Sequence, residues 1–379
     1  MMVTNTTPNS SSATPLRIMH TESSLGWGGQ EIRILTESAG MIARGHEVTL
    51  VCPAEAEICK QAERFGVRAV VPLPIARKKW SGMKALRRCF MEHEPDVVNT
   101  HSSTDSWLTE LACRSIRHAP PTVRTRHISS HIPGNIASRW IYSRAPRHVV
   151  TTGEALRATL IAELGVQPDR VTSIPTGIDT ARYVPGDKKA AQAELGLDPS
   201  CHYLGIVATL RSWKGHRYLV DAFARLDAPD WHLLIVGGGP QWDNLSAQIA
   251  EMGLGGRVSL VGQQHNVERW LQSLDMFCLS SFANEGVPQS IMQAMLTGLP
   301  IVTTPVGAIL EAVVDRETAL IVPPEDDTAL AAGIDELIRS PALREQLGKQ
   351  SREQASRRFS LDTMLKRMEE VFVHAKQAA

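Results

Sequence analysis

A carboxylate and the predicted start of a helix come together in the stretch that follows Glu285. From there to Glu311 the chain has 25 consecutive residues without a formal charge. Glycines and prolines divide this run, so it is too broken for one membrane-spanning helix. The pattern instead predicts a loop, a helix that begins at Pro288 and stops at Gly298, and a strand over 299–304.

The start of this predicted helix is suited to an anion or a sugar hydroxyl. The N–H groups of Gln289 and Ser290 would have no partner within the helix and would carry the positive end of its dipole. Glu285 precedes them, and Gln293 leans back towards the same end from about a turn and a half into the helix. The carboxylate and the amide would then border one pocket. The pattern is equally consistent with a Glu285 that only complements the dipole and a Gln293 that faces solvent.

Two cations follow another predicted strand, in the segment ATLRSWKGH, and one helix is predicted over 213–226. Arg211 can grip two phosphate oxygens at once, and Lys214 adds a compact charge, so the pair suits a diphosphate. Two cations three residues apart are also common on any protein surface.

Other polar groups lie at the ends of strands in the first half of the chain. His101 follows a predicted strand, at the edge where open α/β sheets bind ligands, although a hydrogen-bonded structural histidine fits the pattern too. Arg124, Arg126 and His127 form a second cationic edge, which is also compatible with solvated charge.

These residues belong to a regular alternation of predicted strands and helices. The first unit is a strand, a loop with Gly28 and Gly29, a helix over 32–44 and a second strand directly after Gly45. Such a unit begins a parallel sheet with helices on both faces. The two glycines allow a ligand to approach the backbone, or a plain tight turn, but their spacing is not that of a dinucleotide site.

The pattern starts again in the second half, after a change near Ile178. Two doubly wound sheets in tandem would leave a cleft that faces the carboxyl ends of both sets of strands. We predict a disordered polar tail over 1–14, one domain over 15–178, a second over 179–358, and a helix over 359–379 that closes the fold against the first domain.

The composition is globular, with 43% hydrophobic and 21% charged residues among 379. Six cysteines are scattered without a C-x-x-C pair or metal-ligand spacing, and the tail lacks the apolar segment of a signal peptide. We therefore expect a reduced, cytoplasmic protein.

The net charge of zero hides an asymmetry between the two halves. Residues 1–185 carry 22 Lys and Arg against 16 Asp and Glu, which leaves 18 against 24 for the remainder. Much of the excess lies in 77–90, where basic residues alternate with apolar ones. This stretch suits an anionic membrane surface on the inner face of the plasma membrane, or simply a solvated helix face.

Taken in order from Leu16 onward, these motifs resemble the retaining family-4 glycosyltransferases of the GT-B fold, which has two Rossmann-like domains facing each other across a cleft. The matching segments are GGQE, RGHEVTLV, DVVNTHSS, IPTGID, WKGH, LIVGGGP and NEGVPQSIMQAMLTGLPIVTT. The resemblance implies a nucleotide-sugar donor held mainly by the C-terminal domain and a glycan or glycolipid acceptor held mainly by the N-terminal domain. The segments TVRTRHIS and NEGVPQSIMQAM look like the branch of the family that assembles bacterial lipopolysaccharide or polysaccharide.

The resemblance also implies roles for individual residues. Glu285 would hold the hydroxyls of the donor sugar, Arg211 and Lys214 would bind the leaving diphosphate, and His101 would face the reacting centre. Donor binding would further involve Gly28, Gly29, Gly286, Val287, Gln289 and Gln293.

Two positions depart from the family pattern. Gln293 replaces a glutamate that binds the nucleotide ribose, and Thr209 stands where an arginine is usual, with Arg211 two places on. Glutamine can still accept from a ribose hydroxyl through its carbonyl oxygen.

The sequence contains no D-x-D motif for a metal, so we expect no obligatory metal. We also expect no cofactor and no nucleic-acid partner.

Two other functions share this architecture. One is a non-hydrolysing sugar-nucleotide epimerase, which needs no acceptor, and the other is a non-catalytic subunit that binds sugar nucleotides.

Overall fold

The computed structural model describes residues 14–127 and 132–378, and over these residues two parallel sheets are formed, one of seven strands and one of six. The prediction of two doubly wound sheets facing a cleft is confirmed. The tail predicted over 1–14 lies, except for residue 14, outside the described residues. No helix in the described part of the chain combines the length and the apolar character needed to cross a bilayer.

The first sheet occupies the N-terminal half of the chain. Its strands are β1 (Arg17–Thr21), β2 (Glu47–Cys52), β3 (Val70–Pro72), β4 (Val97–Thr100), β5 (Thr122–Arg126), β6 (His148–Thr151) and β7 (Val171–Ser173). The helices that accompany it are α1 (Gly29–Ala43), α2 (Glu57–Gln61), α3 (Trp80–His93), α4 (Ser103–Cys113), α5 (Ile136–Arg139) and α6 (Glu154–Leu164).

The second sheet occupies the C-terminal half. Its strands are β8 (His202–Val207), β9 (Trp231–Val236), β10 (Val258–Gly262), β11 (Met276–Leu279), β12 (Ile301–Thr303) and β13 (Leu320–Ile321). Its helices are α7 (Lys188–Glu194), α8 (His216–Ala224), α9 (Trp242–Glu251), α10 (Val267–Gln272), α11 (Gln289–Thr297), α12 (Asp327–Arg339) and α13 (Pro341–Arg358), and α14 (Leu361–Gln377) ends the chain.

The order of the strands determines which loops meet. The first sheet has the order β3-β2-β1-β4-β5-β6-β7 and the second the order β10-β9-β8-β11-β12-β13. The order reverses between β1 and β4 in the first sheet and between β8 and β11 in the second. Loops that leave neighbouring strands at such a reversal diverge to opposite faces and open a crevice, which is where doubly wound sheets bind ligands.

The chain passes between the two sheets at two adjacent points. Ile178 donates its N–H to Phe359 O, and Leu361 donates its N–H to Ile178 O. After the second passage, α14 packs on the first sheet, because Met368 and Phe372 on its apolar face join the same core as Val123. The limits set at residues 178 and 358 stay a prediction.

Several helix starts differ from the predicted ones. Pro288 lies just before α11 with an extended ψ of 127°, so the helix begins at Gln289. In the segment that was predicted as one helix from Trp213, a 3₁₀ turn ends at Gly215, whose φ is +72°, and α8 begins after it. Left-handed φ angles interrupt an α-helix, and glycine adopts them at little cost.

Candidate active site

A cleft of about 710 Å³ lies between the carboxyl ends of the two sheets. The N-terminal half contributes the loop after β1 and the ends of β5 and β6, and the C-terminal half contributes the loops after β8, β9 and β11. The predicted site residues that line it are Gly28, Gly29, Lys214, Glu285, Gly286, Val287, Gln289 and Gln293.

Lys214 and Glu285 form an ion pair at the centre of the C-terminal side. Lys214 Nζ donates to Glu285 Oε1 over 2.6 Å, and Ser281 Oγ donates to the same oxygen over 2.5 Å. The Glu285 side chain is 5% exposed and that of Lys214 is 19% exposed. Glu285 therefore lies in a loop, as predicted, but is buried there.

The position of the pair follows from the topology of the second sheet. Lys214 follows β8 and Glu285 follows β11, and these strands are neighbours where the strand order reverses. A second loop packs against the backbone of Glu285 at Gly307, which has a φ of +60°. A Cβ atom on Gly307 would lie 2.1 Å from Glu285 O, so only glycine allows this approach.

The N-terminus of α11 faces the N-terminal half of the chain across the cleft. Among the residues that the structure describes, no side chain caps it, so its first N–H groups and its dipole favour an anion there. Gln289 Nε2 donates to Gly29 O over 2.6 Å and so bridges the two halves. Gly286 lies against Thr152 and the His127 carbonyl, where an added Cβ would come within 3.0 and 3.1 Å.

Gln293 is held in the cleft by a residue that the sequence did not single out. Its Nε2 donates to the hydroxyl of Tyr183 over 3.1 Å. Burial raises the pKa of Tyr183 to about 12, so its phenol is protonated near neutral pH. The structure thus supports a Gln293 that faces the cleft over one that faces solvent.

His101 is placed differently from the prediction. It is 5% exposed and lies behind His127, which lines the cleft. Its two ring nitrogens are each 2.9 Å from a ring nitrogen of another histidine, His20 on one side and His127 on the other. Burial lowers the pKa of His101 and of His127 well below the usual value, and neighbouring positive groups lower both further.

Arg211 is not brought into the cleft. Its side chain is exposed, its guanidinium lies 5.7 Å from the centre of the Trp213 ring, and it is not among the residues that line the cleft. Thr209, at the position where the family usually has an arginine, does line it. Lys214, in contrast, lines the cleft together with Gln289 and Ser290 at the start of α11.

The described ranges gather no cluster of three or more His, Cys, Asp or Glu residues with metal-ligand geometry. The expectation that no metal is required stays a prediction. A second cavity of about 290 Å³, lined mainly by α6 and the Gly307 loop, shares Thr152 and Gly286 with the cleft.

Two family models match the chain, one in each half. Residues 27–182 match the model described as Glycosyltransferase Family 4, and residues 187–354 match Glycosyl transferases group 1. The chain belongs to the family-4 glycosyltransferases. It is therefore an enzyme of the retaining, hexosyltransferase type.

Among curated proteins, the lipopolysaccharide core biosynthesis mannosyltransferase LpsB of Rhizobium meliloti is 36% identical to this chain over 169 residues. That alignment covers 42% of the chain and 48% of LpsB. The D-inositol 3-phosphate glycosyltransferase of Mycobacterium sp. (strain KMS) is 27% identical over 356 residues, which is 83% of the chain and 79% of that protein. The alignment with LpsB thus spans about half of either protein.

Among solved structures, Anabaena HepE in complex with UDP-glucose matches with a TM-score of 0.83 and 20% identity, over 95% of the chain and 100% of HepE. At this identity the match shows the fold, which is GT-B.

For the family-4 site, sequence reasoning missed His127 as the histidine that lines the cleft and Tyr183 as the partner of Gln293. His127 was visible only as part of a cationic edge. Tyr183 lies 110 positions before Gln293 in the chain, and no local pattern connects the two.

Proposed function

We propose that this enzyme transfers a sugar, with retention, from a nucleoside-diphosphate sugar to a glycan or glycolipid acceptor. The observation that carries the proposal is the buried pair of Lys214 and Glu285, which lines the same cleft as the first turn of α11. A cation and a helix dipole suit the diphosphate, and a carboxylate suits sugar hydroxyls.

The pair changes partners when the donor binds. Lys214 turns from Glu285 towards the diphosphate, and Glu285 accepts hydrogen bonds from the sugar hydroxyls in its place. As the glycosidic phosphate bond breaks, negative charge develops on the leaving diphosphate, and Lys214 and the α11 N-terminus stabilise it. The cleft walls keep water from the oxocarbenium-like sugar.

For the acceptor, we propose a bacterial lipopolysaccharide or polysaccharide intermediate. The support is the identity to LpsB, a lipopolysaccharide core mannosyltransferase, over 169 residues. The inositol phosphate glycosyltransferases are less identical but match over a longer part of the chain, so an inositol phosphate is the second acceptor class to test.

The experiment begins with thermal shifts in nucleoside diphosphates and their sugars, since a ligand that binds the folded state raises the melting temperature. The selected donor is then incubated with and without lipopolysaccharide core acceptors. Product that forms only with an acceptor and keeps the anomeric configuration supports the proposal. An isomerised donor formed without an acceptor would contradict it in favour of an epimerase.

We further propose that the basic stretch 77–90 contacts an anionic bilayer by charge. Most of it forms α3, but Leu86 and Phe90 pack in the core, so they are not available to a membrane. Trp80, with 74% of its surface exposed, remains as an aromatic group for the headgroup region. The apolar part of the predicted amphipathic face is therefore mostly structural, and its basic residues carry the proposed contact.

Replacing Lys79, Lys84, Arg87 and Arg88 with glutamine should release the enzyme from vesicles that contain anionic lipid. Each cation near such a surface contributes about 1 kcal/mol, so binding at low salt should fall by roughly 100-fold or more. Transfer to a soluble acceptor analogue should be unchanged. Equal sedimentation of both proteins with the vesicles would show that α3 is a solvated helix face.

A further inference from the structure

Three histidines form a hydrogen-bonded row that runs from the cleft into the interior of the N-terminal half. His127 lines the cleft, and its Nε2 is 2.9 Å from His101 Nδ1. His101 Nε2 is in turn 2.9 Å from His20 Nδ1. The three residues come from the neighbouring strands β5, β4 and β1 or directly follow them, so the sheet order brings them together.

A buried carboxylate stands at the inner end of this histidine row. Glu37 on α1 has its Oε1 4.0 Å from His20 Nε2, and neither side chain is exposed. Asn99 Nδ2 donates to the same Oε1 over 3.4 Å, and Thr125 Oγ1 donates to Asn99 Oδ1 over 2.9 Å, which fixes the amide. Within the described residues His20 Nε2 has no hydrogen-bond partner, and Glu37 is the carboxylate that the structure places against it.

The geometry allows two proton arrangements in which both histidine contacts are hydrogen bonds. Burial lowers the pKa of His20 to about 3 and those of His101 and His127 well below the usual value, so all three rings are neutral near pH 7. Either every ring carries its proton on Nε2, or every ring carries it on Nδ1. Any mixed arrangement places two donors or two acceptors against each other and loses a bond.

We propose that Glu37 sets the tautomer of His127 through His20 and His101. Ionised Glu37 attracts a proton to His20 Nε2, and His20 Nδ1 then accepts from His101. His101 in turn accepts from Nε2–H of His127, which leaves His127 Nδ1, the nitrogen outside the row, as an acceptor. Glu37 is thus a positioning residue about three side chains away from the cleft. The inference rests on the proposed function, because His127 lines the cleft in which the donor is proposed to bind.

The other charged groups around the row do not select the opposite tautomer. Arg33 Nε lies 3.7 Å from Glu37 Oε2, and its positive charge favours the ionised carboxylate. Asp105 accepts from the backbone N–H of His101 and leaves the ring nitrogens to the row. Arg126 lies towards the His127 end and disfavours an additional proton there.

The same carboxylate makes the tautomer sensitive to pH. Burial raises the pKa of Glu37 to about 7, although Arg33 acts against the shift. Above that pH Glu37 is ionised and favours the Nε2–H row. Below it the neutral carboxyl group can donate to His20 Nε2, which favours the Nδ1–H row. Phe372 on α14 packs its edge against His20 and contributes no charge.

The test is a two-bond ¹H–¹⁵N correlation spectrum of the full chain labelled with ¹⁵N-histidine, with His127→Gln to assign the ring signals. At pH 8.5 we expect His127 as the Nε2–H tautomer. In Glu37→Gln the ratio of the two tautomers of His127 should change by about tenfold or more, because an interaction equivalent to about one pKa unit changes an equilibrium tenfold. In the wild type the ratio should titrate with pH, and in Glu37→Gln it should not.

Glu369→Gln is the matched control, because Glu369 is also a buried carboxylate beside a histidine, 3.3 Å from His46 Nε2, but lies outside the row. It should leave the His127 signals unchanged. An Nδ1–H tautomer at pH 8.5, or a ratio that does not move with pH in the wild type, would overturn the inference even if Glu37→Gln fails to fold. The spectrum requires no turnover, so its outcome does not depend on the proposed transfer. Loss of an inflection near pH 7 in the kcat/KM profile of Glu37→Gln would connect the tautomer of His127 to the transfer.

Discussion

The ion pair of Lys214 and Glu285 lets the roles of its two members be separated. Removing Lys214 takes away the cation of the diphosphate site, whereas removing Glu285 releases that cation from its partner. We expect Lys214→Ala to weaken binding of a nucleoside diphosphate such as UDP by roughly 10-fold to 150-fold. This is the loss expected when one charge-assisted hydrogen bond, which contributes about 1.5 to 3 kcal/mol, is removed. Calorimetry of the sugar-free nucleotide measures it.

Glu285→Ala should give the opposite pattern, with transfer lost and UDP affinity unchanged or higher, because Lys214 no longer has to leave a carboxylate. Lys349→Ala is the control, since Lys349 is exposed on α13 and outside the cleft. Arg211→Ala should cost less than Lys214→Ala, because Arg211 is turned away. Equal UDP affinity in the wild type and Lys214→Ala would place the phosphate site elsewhere.

Substitutions of Gln293 test whether this uncharged side chain contacts the ribose of the donor. Gln293→Glu keeps an oxygen that can accept both from a ribose hydroxyl and from the Tyr183 hydroxyl. Gln293→Leu leaves both hydroxyls without this partner, at a cost of roughly 1 to 3 kcal/mol for the unpaired group. Donor affinity should therefore fall about tenfold or more with leucine and little with glutamate. If leucine and wild type bind the donor equally, Gln293 does not contact it.

The two histidines show how far single residues could be predicted from the sequence. His101 and His127 both directly follow a strand, and β4 and β5 are neighbours, so the sequence correctly placed both at the carboxyl edge of the sheet. Which ring lines the cleft depends on side-chain direction and on the hydrogen bonds between the rings, and neither has a local signal. Similarly, Lys214 and Glu285 were each predicted, but their ion pair depends on β8 lying beside β11.

At the scale of elements, the alternation of strands and helices was predictable because buried parallel strands are continuous apolar runs and the helices have apolar periodicity. The errors fall at helix starts, where one backbone angle decides. The α8 segment illustrates this, since the left-handed φ of Gly215 separates a 3₁₀ turn from the helix. Glycine in the sequence permits that angle but does not require it.

The loop that supports Glu285 gives a prediction at this scale, Gly307→Ala. A left-handed φ costs a residue with a Cβ roughly 1 to 2 kcal/mol, and here the new Cβ would also meet Glu285 O at 2.1 Å. We expect a lower melting temperature and a kcat reduced by about 100-fold, the effect of a displacement of about 1 Å at a reacting centre. Gly256→Ala, in open space, is the control. An unchanged kcat would show that this loop does not hold Glu285 in its active position.

At the scale of the whole molecule, the two halves of the structure contact each other at several places. At one of them, Gln289 bridges to Gly29. At another, Glu311, in the 3₁₀ turn Ile309–Glu311, reaches the N-terminus of α6. Its carboxylate accepts from the N–H of Glu154 over 2.6 Å and from that of Ala155 over 2.8 Å. One half of the enzyme therefore caps a helix of the other.

This contact makes the association of the two halves dependent on Glu311. A carboxylate at a helix N-terminus is favoured both by the free N–H groups and by the dipole. Because the contact is partly exposed, we expect Glu311→Ala to weaken the association of the two halves by about 1 kcal/mol, or roughly fivefold. The amides in the first turn of α6 should exchange hydrogen faster, and donor affinity should fall by a similar factor, since the donor cleft needs both halves. Glu317→Ala, an exposed carboxylate a short distance along the chain, should change neither. Unchanged exchange in α6 of Glu311→Ala would mean that the cap does not persist in solution, and that the association of the two halves depends on the Gln289 contact or on the donor itself.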